Sequence, residues 1–182
     1  ATTGRLEVVH RLTADSFDSA PFDARLIAEF ATDHLRVQLE VTNSGPNDFT
    51  YEEALHTYFA ISDINQISID GLDSCDYLDS VAGTTHTQAG SVRFNGRTDR
   101  IYNHAGEATI DDPGFGRRIH VAKEGSANTV VWNPGRDLAM TQRDIGEYYA
   151  EFVCVEAANV GASAITLKAG EAHSIAQTIH LS

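Results

Sequence analysis

The sequence predicts an all-β fold, an antiparallel β-sandwich, and three observations predict it. Apolar residues recur at every second position, and turn-forming residues separate short segments all along the chain. No long stretch carries the 3.6-residue period of a helix. About ten short strands with turn signals between them point to a sandwich or barrel rather than to alternating strands and helices.

The clearest alternation sets Leu35, Val37, Leu39 and Val41 against Arg36, Gln38, Glu40 and Thr42, a strand with one buried face. Arg25-Leu26-Ile27-Ala28-Glu29-Phe30 precedes it, joined through the polar link Ala31-Thr32-Asp33-His34 as in a hairpin. The turn cluster Asn43-Ser44-Gly45-Pro46-Asn47-Asp48 ends the second strand. Further strands are expected at 66–69, 91–94, 117–122, 129–132, 148–156, 164–167 and 174–180, each bounded by Gly, Asn, Asp or Pro. The best helical candidate, 136–145 after Asn133-Pro134-Gly135, is expected to be a short surface helix or loop. Stretches 72–90 and 103–116 read as long, turn-rich connections, where a sandwich usually builds its sites. No repeat, low-complexity tract or linker divides the chain, so residues 1–182 read as one domain.

The net charge of −13 disfavours nucleic acid and anionic membrane as partners. It also repels anionic metabolites at long range, so a phosphate would need a local cluster of arginines or backbone amides. Only two cysteines occur, Cys75 and Cys154, too few for a small disulfide scaffold. There is no Asn-X-Ser/Thr acceptor, and no apolar run approaches the ~20 residues of a membrane-spanning helix. Ala1-Thr2-Thr3-Gly4-Arg5 has no apolar stretch of the kind a signal peptide uses. Together these features favour the cytoplasm.

Three segments carry groups capable of chemistry. In Glu53-Ala54-Leu55-His56-Thr57-Tyr58-Phe59, a histidine lies between two strand-like pieces, either a core residue satisfied by backbone or an acid–base group. In 147–156, period two puts Ala150, Phe152, Cys154 and Glu156 on one face and Val153 and Val155 on the other. Both faces are apolar, which marks a central strand. Glu156 is then either a strand-end residue leaving the core or a desolvated carboxylate with the raised pKa that a general base needs. In Arg97-Thr98-Asp99-Arg100, the charges form either a solvated turn or a carboxylate that binds a sugar hydroxyl, held by neighbouring guanidinium groups.

Taken together, these segments resemble the glucose-6-phosphate 1-epimerases, the hexose-6-phosphate branch of the galactose-mutarotase-like, aldose 1-epimerase family. The resemblance runs through 54–64, then Gly71-Leu72 and Tyr77-Leu78-Asp79-Ser80. It continues with Thr98-Asp99-Arg100-Ile101-Tyr102, Thr129-Val130-Val131-Trp132-Asn133-Pro134 and Phe152-Val153-Cys154-Val155-Glu156-Ala157-Ala158-Asn159. These motifs stand in the family's order across nearly all of 35–182. The resemblance implies a mutarotase-like supersandwich, with His56 as general acid, Glu156 as general base and Asp99 as a substrate-binding acid. It implies no metal or other cofactor. The implied substrate is a phosphorylated hexose whose α and β anomers are interconverted by opening and closing the C1–O5 bond.

Two departures stand out. The family usually has an aromatic after Trp-Asn-Pro, where this chain has Gly135. The family's N-terminal stretch, with its arginine–glycine segment for phosphate and a His-Gly-Phe-Ala-Arg motif, is not found here. The chain is therefore expected to be the N-terminally incomplete, C-terminal part of the family fold, paired with a missing N-terminal fragment or a second chain, and its activity alone is in doubt. Tyr58, Phe59, Tyr102 and Trp132 could stack on a sugar or belong to the core. A metal site from His86, His104 and Asp99 has no supporting ligand spacing. The chain lacks a serine-hydrolase elbow, and nothing in it specifies a glycosidase carboxylate pair. The rival from another class is a non-catalytic carbohydrate-binding sandwich, which would have no need of His56 and Glu156 facing one cavity.

Overall fold

The computed structural model describes residues 4–13 and 20–182; residues 1–3, part of the N-terminal segment read above, and 14–19 lie outside the described residues. In chain order the strands are β1 (Leu6–Thr13), β2 (Phe22–Phe30), β3 (Leu35–Asn43), β4 (Phe49–Tyr51), β5 (Glu53–Leu55), β6 (Tyr58–Ala60), β7 (Ser68–Asp70) and β8 (Asp76–Asp79). They continue as β9 (Thr84–Thr87), β10 (Thr98–Asn103), β11 (Ala108–Asp112), β12 (Arg117–Glu124), β13 (Asn128–Asn133), β14 (Phe152–Asn159), β15 (Ile165–Leu167) and β16 (Ala172–Leu181). A single short helix among the described residues, α1, spans Gly135–Ala139.

Two large antiparallel sheets result. One runs β1-β2-β3-β16-β12-β11-β7; the other runs β5-β14-β13-β10-β8-β9, with β6 also on β14. The expected antiparallel sandwich is the fold observed. Its core lies between the sheets. Ile69, Ile110, Ile119 and Val121 from the first meet Tyr102, Val131, Val153 and Val155 from the second. Full burial of each such aliphatic side chain contributes ~1.5–3 kcal/mol, which fixes the two faces of β14. Val153 and Val155 must point inward, so Cys154 and Glu156 point to the other side.

The hairpin read at 25–41 is present, its turn closed by Ala31 N–H donating to the His34 carbonyl at 2.9 Å. Three expectations are corrected, and the fourth, a short helix or loop at 136–145, is narrowed. Residues 91–94 make only an isolated bridge, Val92 to Ile69. Their alternation comes from buried Val92 and Phe94 packing on the core, without a partner strand for the rest. The strand expected from 148 begins at Phe152, because Gly146–Glu151 forms a 3-10 turn that opens at Gly146 with φ +49°. The helical candidate 136–145 is helical only to Ala139 and then breaks into turns. The stretches read as connections, 72–90 and 103–116, contain β8, β9 and β11. In β8 and β9 polar residues such as Asp76, Asp79, Thr84 and His86 dominate, so no apolar alternation announces strands that the ladder to β10 holds in place.

The outer strand β1 is exposed along its whole length, and Leu6, Leu12, Leu26 and Phe30 of β1 and β2 face solvent. No helix among the described residues is long and apolar enough to cross a membrane.

Candidate active site

The site is built on the outward face of β14. On one side β14 pairs with β13, setting Val130 opposite Glu156 and Trp132 opposite Cys154. On the other it pairs with two fragments, Ala157 with Leu55 of β5 and Cys154 with Tyr58 of β6. The register is the same on both sides of the break, which places His56 directly opposite Glu156. Directly opposed residues on one face of a sheet stand with Cβ atoms about 4.5–5.5 Å apart, within reach of a ring and a carboxylate. His56 Nδ1 lies 2.6 Å from Glu156 Oε1.

The break is a tight turn centred on His56, closed by Thr57 N–H donating to the Leu55 carbonyl at 2.9 Å. Behind it, Thr57 Oγ1 donates to Gln177 Oε1 at 2.6 Å, and Gln177 Nε2 donates to the Val155 carbonyl at 2.8 Å. Gln177 is fully buried on β16. This polar link ties the histidine turn to both β14 and the opposite sheet. A buried amide is costly to leave unpaired, so the link holds a single geometry.

Burial is uneven across the pair: 45% of the His56 side chain is exposed, against 7% for Glu156. Burial, reinforced by the negative charge of Asp99, pushes the Glu156 carboxyl up to about 8. Burial also pulls the His56 imidazole below its usual range, with Asp99 opposing. Near neutrality the two groups therefore share one proton between them, with no net charge. Such a pair can present an acid on one atom and a base on the other.

Asp99 lies on the same face, opposite Trp132 across β10 and β13. The guanidinium support expected for it is corrected. Arg100 alternates to the other face, where it stacks over Tyr77 at 4.9 Å and approaches Gln88 Oε1 at 3.5 Å. Arg117 donates to the Ala60 carbonyl, and Arg118 pairs with Asp70 and Asp111. Among the described residues, Arg97 makes no hydrogen bond or ion pair and is exposed. The aromatic candidates divide. Phe59 and Tyr102 are core, whereas Tyr58 is exposed. Tyr58 and Trp132 stand 4.8 and 5.4 Å from the His56 ring, and Phe152 completes the wall 4.9 Å from Tyr58. Gly135 has its own local reason. Its φ is +64°, and a Cβ there would meet the Arg97 backbone nitrogen at 2.5 Å.

His86 and His104, considered as metal ligands with Asp99, are engaged elsewhere, with Thr84 and Thr129. Among the described residues the one cluster of potential ligand atoms is His56, Cys154 and Glu156, all within 4.8 Å of one another. Sequence spacing did not reveal it, because His56 is remote in the chain and only the shared register brings it to Cys154.

Residues 3–180 match the aldose 1-epimerase family. The chain belongs to that family. A relative from Cenchrus ciliaris, provisionally named a glucose-6-phosphate 1-epimerase, is 37% identical over 141 residues, covering 75% of this chain and 43% of that protein. One of the same provisional name from Escherichia coli K12 is 33% identical over 165 residues, covering 88% of this chain and 54% of its own length. The solved structure of a provisionally assigned mutarotase from Salmonella typhimurium superposes with a TM-score of 0.85 at 25% identity, over 97% of this chain and 60% of that one. The chain thus spans about half the length of the curated relatives it matches. In this epimerase-family chain the sandwich and the register at β14 lie within the matched part.

Proposed function

We propose that this chain carries the acid–base pair of a mutarotase acting on a hexose 6-phosphate. The observation that carries the reading is the placement of His56 against Glu156 on an aromatic-walled sheet face. A non-catalytic sugar-binding sandwich has no use for this pair, and its 2.6 Å contact supports the catalytic reading. In the proposed reaction Glu156 takes the proton of the C1 hydroxyl as the C1–O5 bond breaks, and His56 delivers a proton to O5. The open aldehyde rotates about C1–C2, and the reverse transfers close the ring on its other face. No covalent intermediate is required, and each positioned transfer contributes ~10²–10⁴-fold. Asp99 accepts a sugar hydroxyl, and Tyr58 and Trp132 pack on the ring face.

The phosphate is the finer part of the proposal. The names of the relatives suggest it, and Arg97, unpaired and two residues from Asp99, supplies a local positive charge on an acidic chain. Anomer exchange followed by NMR on glucose 6-phosphate and on glucose tests both levels. Arg97→Ala is expected to raise KM for glucose 6-phosphate about 10-fold, in line with the loss of one charge-assisted contact, and to leave glucose unaffected. Equal effects on both sugars would remove Arg97 as the phosphate group's partner, and no exchange above the uncatalysed rate with either would remove the mutarotase reading for this chain alone.

We further propose a cytoplasmic location, in keeping with two free thiols, and an assembly role for the exposed β1–β2 face. Among the described residues β1 pairs only with β2, so this eight-residue edge strand bearing Leu6, Val8 and Leu12 is a ready surface for strand pairing. The isolated chain is expected to form dimers through it. Sedimentation velocity should show them dissociating in Val8→Lys, and a wild-type monomer at high concentration would refute the assignment.

A further inference from the structure

We infer that His56, Cys154 and Glu156 form a binding site for a zinc-class divalent cation, and that an occupied site cannot catalyse. The metal site stands on its own geometry, and the catalytic consequence rests on the mutarotase reading above.

The ligand set is the first argument. An imidazole nitrogen, a thiolate sulfur and a carboxylate oxygen are the three donor types that zinc selects, and three protein ligands with a fourth position open to solvent is a common arrangement. The geometry is the second. The three donor atoms lie within 4.8 Å of one another. Tetrahedral zinc with ordinary bond lengths sets its donors about 3.3–3.8 Å apart, so a movement of roughly 1 Å closes the cluster. His56 can make that movement, because it sits on a two-residue break between β5 and β6 and its ring is half exposed. Cys154 and Glu156 are fixed at successive positions on one face of a central strand, which preorganises two of the three ligands.

Charge is the third argument. One thiolate and one carboxylate neutralise a divalent ion, so the occupied cluster carries no net charge into a mostly buried site. The cation displaces two protons, the thiol proton of Cys154 and the one that Glu156 and His56 share, and both pass to solvent. Coordination occupies the Glu156 oxygen and the His56 nitrogen that the proton transfers need, so metal and turnover exclude each other.

Cobalt(II) reports the geometry directly. Metal-free chain titrated with Co²⁺ is expected to develop tetrahedral d–d absorption and a thiolate-to-cobalt charge-transfer band, both removed by added Zn²⁺. Cys154→Ser should abolish the charge-transfer band and weaken Co²⁺ binding by about 10-fold or more. Cys75→Ser, which alters the other free thiol, should leave both intact. Circular dichroism of each variant checks that the fold is retained, and His56→Ala gives a second loss of tetrahedral absorption without touching a buried position. No charge-transfer band in the wild type, or a band that survives Cys154→Ser and vanishes in Cys75→Ser, overturns the site. In parallel, saturating Zn²⁺ is expected to abolish anomer exchange, with chelator restoring it. A cobalt band accompanied by undiminished exchange at saturating Zn²⁺ would leave the metal site standing and overturn the assignment of this pair as the acid and base.

Discussion

Glu156→Gln is expected to lower kcat for anomer exchange by about 10²–10⁴-fold and, in the same protein, to raise stability at alkaline pH. The activity loss follows from removing the one carboxylate that contacts His56. The amide fills the same volume and can still hydrogen-bond the ring, but it cannot take a proton. The stability gain follows from the sign of the pKa shift. Burial holds the folded carboxyl up at about 8, whereas the unfolded one titrates near 4.5. The stabilising contribution of the neutral carboxyl is therefore fully present below pH 4.5 and is lost as pH rises to about 8. A rise from 4.5 to about 8 corresponds to a penalty on the order of 5 kcal/mol above pH 8 that glutamine does not incur. Thermal melts of both proteins in metal-free buffer from pH 5 to 9 should show a Tm gap that opens with pH in favour of the variant. Parallel curves would mean that Glu156 titrates normally and is no tuned base. Melts that diverge as expected, with turnover intact, would keep the buried carboxylate but strip it of its catalytic role.

What the sequence reveals about this site depends on periodicity. The strand 152–159 is legible because both of its faces are apolar, and period two alone puts Cys154 and Glu156 together. The meeting of His56 with Glu156 is not legible in that way. It depends on two three-residue strands, β5 and β6, holding one register against β14 across a turn, and strands that short leave no pattern. Only the resemblance to a family pointed to it. Gln177 shows the opposite failure. It lies in the strand 172–181, where period two puts it on the face of Ile175 and Ile179, but the spacing does not say what would satisfy a polar side chain there. Its burial is decided by partners on two other strands, Thr57 and Val155. The expected support of Asp99 by Arg100 fails for a simple reason. Adjacent residues of a strand face opposite sides, and Arg100 follows Asp99 directly. Polar hairpins such as β8–β9 escape sequence reading because they bury little of their own and are held by the backbone ladder to β10.

His56→Ala is expected to cost kcat about as much as Glu156→Gln, ~10²–10⁴-fold, but with a different signature. The wild-type rate should follow a bell in pH. Its alkaline limb falls near pH 8, where the pair loses its shared proton, because Glu156 is held up there by burial and by Asp99. Its acid limb lies below the usual imidazole range, because burial lowers His56 and a second proton then blocks the base. Removing the imidazole leaves Glu156 as a base that works only once it has lost its own proton, so the bell gives way to a rate that rises with pH towards about 8. The half-exposed ring leaves a gap open to solvent, so added imidazole should enter and restore part of the rate. A merely structural histidine would respond to neither test. Its loss would lower Tm and KM-normalised activity together, the bell would keep its shape, and imidazole would do nothing. Stability should fall by only about 1–2 kcal/mol, the cost of leaving the buried carboxyl without its ring partner. Measuring kcat/KM against pH for both proteins, with and without imidazole in metal-free buffer, distinguishes the two roles. An unchanged bell in His56→Ala would assign the acid limb to another group and remove His56 as the proton donor to O5.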